Sequence, residues 1–364
     1  MASSGIDFSK LTPSNGAVND LRKLIFLAFS SDESVGALLN ILPNQHNGDK
    51  VGFVGEFGAI GKASNGCDPT YGNDLVSTGE KTWDIRRWEV AEAICFADLE
   101  NTLLKYAAKD GTSAQDLTDT DYMDNVVAPR LERAIKRLVL RFAFFGDKTA
   151  SAYSSSNTSG TLAQGVDAGL FNLIDGIWKQ AFTAVAANKL QRVTVDANTK
   201  ATPAAQKTAI RAAGVATALV DDLISSGSPA LRQQEGQRIY MTQALADALT
   251  IDVRNNNKGS ELQWEFVQNS FSVARYGGVE IVAIPMWDEI ITSMLNNSTT
   301  HAAQDKPYRA IYTVKDNLLV GTPSSEMAAE LSIKFDDITR KNYIYASDAL
   351  GAMIADENLA VVAY

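Results

Sequence analysis

The sequence is poor in the side chains on which most catalytic and metal sites depend. Its 364 residues include two histidines, His46 and His301, and two cysteines, Cys67 and Cys95. Two thiols form neither a disulfide framework nor a four-cysteine zinc site. The chain contains no H-E-x-x-H, G-x-S-x-G or C-x-x-C pattern. The sequence therefore predicts no catalytic residue, no metal site and no cofactor.

Long hydrophobic runs and a surplus of basic residues are also missing. The most apolar short run, Leu24 to Phe29, is far too short to span a bilayer, and the opening MASSGIDFSK lacks the pattern of a secretory signal. The chain has 33 Lys and Arg against 43 Asp and Glu, a formal net charge of -10. A surface that binds nucleic acid throughout needs clustered Lys and Arg instead. We expect a reduced, soluble, cytoplasmic protein without membrane association. The negative net charge still allows a local basic face.

What the chain does contain is a glycine-rich segment, VGFVGEFGAIGKAS, from residue 51 onward. Its glycines recur every third residue, at Gly52, Gly55, Gly58 and Gly61. A P-loop requires G-x-x-x-x-G-K-[ST], but Glu56 stands at the first glycine position and Ala63 at the hydroxyl position. An acidic side chain inside an anion cradle would repel the ligand. The pattern instead predicts an extended loop or hairpin able to lie flat against another surface.

The longest periodic segment runs from Tyr122 to Phe145 and predicts a helix about 36 Å long. Pro129 is expected to kink it or to lie in its first turn. One face carries a basic stripe, Arg130, Arg133, Arg137 and Arg141. Two interpretations are open: salt bridges to acidic segments, or a face toward nucleic acid or another anionic partner. The acidic net charge favours the salt bridges.

The remaining pattern indicates a mixed α+β chain. Helical periodicity covers 205–224 and 243–252, and strands are predicted at 238–241 and at 279–285, where Pro285 closes the strand. The last third is strand-rich, with the runs YRAIYTV, NLLVGT, AELSIKF, NYIYA and LAVVAY. We expect a loop-rich N-terminal third, one dominant helix, a helix-and-strand middle and an antiparallel C-terminal sheet.

The order of these elements resembles the Hong Kong 97 capsid fold of the major capsid proteins of tailed bacteriophages. Local patterns similar to the family are FFGDK at the end of the long helix, GLFN at 169–172, RIYMTQALADAL, VEIVAIP, and the C-terminal run that starts with AIYTVKDNLLVGT. The resemblance covers nearly the whole chain and consists of element order and local patterns, without one diagnostic motif. It implies the following domains: an N-terminal arm (1–50), an extended E-loop (51–84), a peripheral domain (85–175, with a spine helix at 122–145, and 306–347) and an axial domain (176–305 and 348–364).

The resemblance also implies a function. A member of this family would be a major capsid protein that assembles into hexamers and pentamers of an icosahedral shell around a double-stranded DNA genome. Its partners would be other copies of itself, a portal protein, separate scaffolding or decoration proteins, and packaged DNA at the inner face. It would reside in the virion capsid after assembly in the host bacterial cytoplasm. The four glycines would then be inter-subunit contacts, and the arginine stripe would pair with carboxylates or face the DNA.

Two alternatives remain at the level of sequence. Encapsulin shells share the fold and hold protein cargo, so a resemblance to the fold does not separate them from phage capsids. A soluble α+β enzyme that uses Asp and Glu side chains is the alternative from a different functional class. The scarcity of catalytic side chains favours a shell subunit, since such a protein acts through its surfaces.

Overall fold

The computed structural model describes residues 35–57, 76–95, 128–153, 160–256, 264–267, 271–297, 302–323, 330–336 and 341–364. The helices are α1 (Val35–Leu38), α2 (Ala128–Phe145), α3 (Ile177–Ala186), α4 (Pro203–Ile210), α5 (Val215–Ser225), α6 (Pro229–Gln233), α7 (Gln243–Asn256) and α8 (Pro285–Ser293). The strands are β1 (Asn40–Leu42), β2 (Lys50–Phe57), β3 (Val76–Thr82), β4 (Arg86–Cys95), β5 (Gln191–Val193), β6 (Gln237–Thr242), β7 (Glu265–Val267), β8 (Phe271–Tyr276), β9 (Val279–Ile284), β10 (Ala310–Val314), β11 (Leu318–Gly321), β12 (Glu330–Asp336), β13 (Lys341–Ile354) and β14 (Ala360–Ala363). The prediction of a mixed helix-and-sheet chain is confirmed.

The long strand β13 organises a five-stranded sheet. It pairs antiparallel with β4, β12 and β11, and β1 joins β11 in parallel. Side chains of a strand alternate between its two faces, and in β13 Ile344 and Ala346 are buried while Tyr343 is exposed. The buried face shares one apolar core with Leu131 and Ile135 of α2. The long helix therefore covers one side of this sheet.

The described part of the long helix begins at Ala128, and Pro129 is its second residue. Proline fits the first helical turn because the N–H it lacks has no intrahelical partner there. The rest of the helix predicted from Tyr122 lies outside the described residues.

The second sheet has seven strands in the order β5-β14-β10-β6-β9-β8-β7. It is mixed, because β6 pairs with β9 and β14 pairs with β5 in parallel while the other pairs are antiparallel. Ile239 and Met241 of β6 pack with α5 and α7. Tyr240, between them in sequence, belongs to the core formed with α3, α8 and the end of α2. The core that contains Tyr240 is also the one that lies under the five-stranded sheet, so a single apolar core joins both sheets.

The structure corrects three predictions. The helical pattern over 205–224 is divided into α4 and α5, because Gly214 adopts a φ of 81° and its N–H, like that of Thr217, donates to the buried carboxylate of Asp252. Pro285 closes β9 but also opens a helix, α8, that was not predicted. The C-terminal strands do not form one antiparallel sheet, since β10 and β14 lie in the seven-stranded sheet and β11 to β13 lie in the five-stranded sheet.

A close approach of two glycines sets the connection from the long helix to α3. The Gly176 N–H donates to the Gly146 carbonyl oxygen at 2.9 Å. A Cβ atom on Gly146 would lie 2.6 Å from the carbonyl oxygens of Phe142 and Ile174, and one on Gly176 would lie 2.7 Å from the Phe142 carbonyl oxygen. Backbone on both sides leaves no room for a side chain, so the packing of α3 beside the end of α2 requires glycine at both positions.

We expect Gly176→Ala to lower the free energy of unfolding by about 2 kcal/mol or more, because the new methyl group meets backbone that cannot move aside. Gly169→Ala is the matched control, since its Cβ would lie at ordinary contact distance, 3.4 Å, from the Asp167 side chain. Denaturant unfolding of both variants measures the difference. Equal stability of the two variants would show that the Gly146–Gly176 contact can accommodate a side chain.

Candidate functional site

The first candidate surface is the hairpin formed by β2 and β3, which we call the hairpin. Its strands pair antiparallel from Lys50 opposite Thr82 to Phe57 opposite Val76, with an irregularity between Val54 and Phe57. Within the described residues, the two strands form a sheet of their own. A two-stranded hairpin alone is marginally stable in water. Its position must therefore depend on contacts at its base or on a surface that it meets.

The predicted glycine contacts map onto this hairpin only in part. Gly52 and Gly55 lie in β2, whereas Gly58 and Gly61 lie outside the described residues. Gly52 is exposed and is paired in register with Glu80. A Cβ atom at Gly52 would meet no heavy atom within 4 Å. The space over Gly52 is therefore open in the isolated chain and can admit another surface.

The base of the hairpin is built into the body of the molecule. The Trp83 N–H donates to the Asp49 carbonyl oxygen at 2.8 Å, and the Gly48 N–H donates to the Trp83 carbonyl oxygen at 2.9 Å. Trp83 is 1% exposed and forms a small apolar cluster with Ile85. The other members of that cluster come from β11, from β13 and from the residue that follows β13, namely Leu319, Met353 and Ala355. These residues alternate with the ones that face the main core, so the hairpin base covers the sheet face opposite the long helix.

Two facing glycines make the seat for Trp83. Gly321 of β11 is paired with Gly351 of β13. A Cβ atom on Gly321 would lie 3.1 Å from the Trp83 ring, and one on Gly351 would lie 2.8 Å from Ile85 and 3.2 Å from Trp83. The missing side chains leave a notch in the sheet that the indole occupies. The resemblance implies an E-loop over 51–84, and Trp83, near the end of that range, is buried in this notch.

The arginines of the stripe on α2 differ in their exposure to solvent. Arg133 and Arg137 are exposed, and Arg137 Nη2 lies 3.3 Å from Glu289 Oε2 of α8. Arg141 is half-buried; its Nε donates to the Leu170 carbonyl oxygen at 3.0 Å, and burial lowers its pKa. The side chain of Arg130 lies outside the described part of the chain. The exposed part of the stripe is therefore the half nearer the helix N-terminus, and Arg141 is a packing residue.

Sequence reasoning missed the most deeply buried charged side chain among the described residues. Arg309 is 1% exposed, and its Nη2 donates to Asp305 Oδ2 at 2.6 Å while its Nε donates to the Lys306 carbonyl oxygen at 2.9 Å. Its guanidinium lies 5.3 to 5.5 Å from the ring centres of Phe145, Trp178 and Phe182. Burial alone would raise the pKa of Asp305, but the charge of Arg309 holds it below its ordinary value. No local periodicity marks this pair, because its surroundings come from three distant segments.

A cavity of about 440 Å³ lies beside this pair, between the end of α2 and α3. Its charged lining is already paired: Lys179 lies 2.9 Å from Asp147, and Lys306 lies 2.6 Å from Asp305. In the described segments, no group of three or more acidic, histidine or cysteine side chains is placed to hold a metal ion. Nor does any helix there have the length and apolar character needed to cross a membrane.

We expect Arg137→Ala to change the free energy of unfolding by no more than about 1 kcal/mol, because an exposed ion pair is screened by solvent. Arg141→Ala should cost more, about 1 to 3 kcal/mol, since it removes a hydrogen bond to a backbone carbonyl and the packing of a half-buried stem. Denaturant unfolding of the two variants compares them directly. A larger loss of stability in Arg137→Ala than in Arg141→Ala would contradict the assignment of Arg137 as exposed and Arg141 as a packing residue.

Comparison with protein-family models found no match, and comparison with curated proteins found none either. Solved structures do match. A chain from the satellite phage P4 procapsid, a structure that includes the size determination (Sid) protein, has a TM-score of 0.51 at 14% sequence identity, covering 96% of this chain and 90% of that chain. A chain from Gordonia phage Cozz has a TM-score of 0.49 at 11% identity, covering 90% and 85%. A chain from the capsid of an empty GTA particle has a TM-score of 0.48 at 13% identity, covering 92% and 89%.

We base the assignment of the fold on the first of these structures, which has the highest TM-score of the three. At 14% identity, the likeness concerns the fold and not the individual residues. It covers 96% of the chain, so it concerns nearly its whole length and not a single segment. The predicted fold is confirmed: this chain has the Hong Kong 97 capsid fold of phage capsids.

Proposed function

We propose that this chain is the major capsid protein of a tailed bacteriophage and that its copies assemble as hexamers and pentamers of an icosahedral shell. The observation that carries the proposal is a capsid fold over nearly the whole chain. The hairpin supports it, because its two strands pair with no other strand in the described residues. A second copy of the chain would supply the surface that such an element needs.

In this proposal the two sheets correspond to the two domains of a capsid subunit. The five-stranded sheet and α2 form the peripheral domain, and the seven-stranded sheet forms the axial domain. Strands β10 and β14 then belong to the axial domain, whereas β11 to β13 belong to the peripheral domain. The hairpin is the E-loop, and the arm is the chain before it, whose last part is tied to the body by the pairing of β1 with β11.

The chemistry of the described residues supports a structural role in place of a catalytic one. The charged groups around the cavity pair with one another, as Lys179 does with Asp147 and Arg309 with Asp305. Groups held in such pairs contribute to the packing around the cavity. The proposed partners are other copies of the chain, a portal protein, separate scaffolding or decoration proteins, and packaged DNA at the inner face. The proposed location is the virion capsid after assembly in the host cytoplasm.

Assembly itself tests the proposal. We expect the protein, expressed alone or with the partner proteins of its phage, to form closed particles visible by negative-stain electron microscopy. Each subunit should bury far more than the roughly 1,600 Å² of a standard interface, because an arm and an E-loop laid across neighbouring subunits would add to the contact area of the domains. A stable monomer or dimer in the presence of those partners would overturn the proposal. Closed particles that hold protein cargo and no DNA would indicate an encapsulin-like shell instead.

The hairpin is tested by a deletion that keeps its base. The variant removes residues 52–80 and joins Val51 to Lys81, its partner in register, through an Asn-Gly turn. We expect a folded subunit that forms no particles, because Trp83 and Ile85 remain in their cluster while the projecting strands are lost. Circular dichroism and light scattering measure the two properties.

The control is a deletion of 51–84, which also removes Trp83 and should destabilise the subunit. Leaving the buried notch empty creates a cavity, which typically costs several kcal/mol for a tryptophan, about 3 to 5. Particles formed by the shorter deletion would show that the hairpin is not a required inter-subunit contact. Unfolding of the shorter deletion would show that the strands belong to the core.

A further inference from the structure

Two short crossovers carry the chain between the sheets. The first is the turn Lys315–Asn317, between β10 and β11, and the second runs from the end of β13 through the turn Glu357–Leu359 to β14. Each crossover joins the seven-stranded sheet to the five-stranded sheet. The chain also passes from β4 through α2 and α3 to β5, so these crossovers are the two short connections between the sheets.

Asn317 fastens the two crossovers to each other. It is 2% exposed, and its Nδ2 donates to the carbonyl oxygens of Asp356 at 2.9 Å and Leu359 at 3.2 Å. Its Oδ1 accepts from the Asp356 N–H at 2.7 Å, and its carbonyl oxygen accepts from the Ala355 N–H at 2.9 Å. A buried amide with these bonds satisfied holds its partners in one geometry. We call the residues 315–317 and 354–359 the crossover clamp.

The hairpin contacts this clamp through Lys81. Its Nζ donates to the Ile354 carbonyl oxygen at 2.7 Å and lies 2.6 Å from Glu357 Oε1. The Lys81 and Glu357 side chains are each 27% exposed, so solvent screens this pair less than one on the open surface. Trp83, two residues along the chain from Lys81, packs against Met353 and Ala355 at the same point.

We propose that the hairpin and the crossover clamp form one mechanical junction, so that the direction of the hairpin and the arrangement of the two sheets change together. Rotation of the hairpin about its base moves Lys81, and with it Ile354 and Glu357. Because Asn317 holds the second crossover to the first, the displacement reaches both of these short crossovers. Coupling of this kind is reciprocal: a change in the clamp must also act on the hairpin.

The inference goes beyond the proposed function, because it concerns the single chain and holds whether or not copies assemble. In a shell, it would let a neighbour that holds the hairpin bias the arrangement of the two sheets. Differential binding to two arrangements is the requirement for such a shift.

Hydrogen–deuterium exchange of the unassembled full-length chain tests the junction. Lys81→Met removes both contacts while keeping the length of the side chain. We expect exchange at least roughly threefold faster in the hairpin strands. The same increase is expected in peptides covering 315–318 and 354–360, because loss of a hydrogen-bonded charge lowers the free energy of local opening. The matched control is Lys50→Met, which removes the exposed ion pair between Lys50 and Glu80 of the same hairpin. It should affect the hairpin alone.

The reciprocal variant is Glu357→Gln, which alters the clamp and leaves the hairpin sequence intact. We expect faster exchange, by a similar factor, in 50–57 and 76–82. An effect of Lys81→Met confined to the hairpin, or of Glu357→Gln confined to the clamp, would overturn the proposal. So would a Lys50→Met effect on the clamp equal to that of Lys81→Met. Should Lys81→Met fail to fold, the milder Glu357→Gln decides by itself.

Discussion

The apolar core shared by the two sheets is the constraint on which the other features depend. Trp287 of α8 lies near its centre, with the rings of Phe144 at 4.9 Å and Trp178 at 5.3 Å in edge-to-face geometry. Such pairs add to the stabilisation that comes from burial of large rings. The same core contains Ile344 of one sheet and Ile311 of the other. The long helix and both sheets therefore pack against a common set of side chains.

A buried charge at the edge of this core makes its geometry specific. Removing a guanidinium from water is costly unless a partner and hydrogen bonds replace the solvent. Arg309 has the Asp305 carboxylate, the Lys306 carbonyl oxygen and three aromatic ring faces. Aromatic faces attract cations because of their quadrupole. Since these groups come from α2, α3 and the segment before β10, Arg309 is satisfied only when all three are in place.

The elements that were predictable from sequence are those whose signal is local. The short runs RIYM and VEIVAIP predicted β6 and β9, and the helical period predicted the described part of α2. The fold followed from the order of such elements. What could not be predicted depends on residues distant in sequence: the Gly146–Gly176 approach, the cap of α5 by Asp252, and the contact of Lys81 with Ile354, 273 residues away. Period-two patterns also cannot tell which sheet a strand joins, so β10 and β11 were expected in one sheet and lie in two.

The glycine notch under Trp83 has a consequence for how this sequence can vary in evolution. A Cβ atom at Gly321 or Gly351 would lie 3.1 or 3.2 Å from the indole, so a side chain at either position requires the ring to move, and the three positions constrain one another. A smaller residue at 83 would leave a void in the sheet, and a methyl group at either glycine would displace the ring. In related chains these three positions should therefore change together, with a small residue at 83 where either glycine is replaced. Such joint substitution would mark the seat of the hairpin in sequences too divergent to align elsewhere.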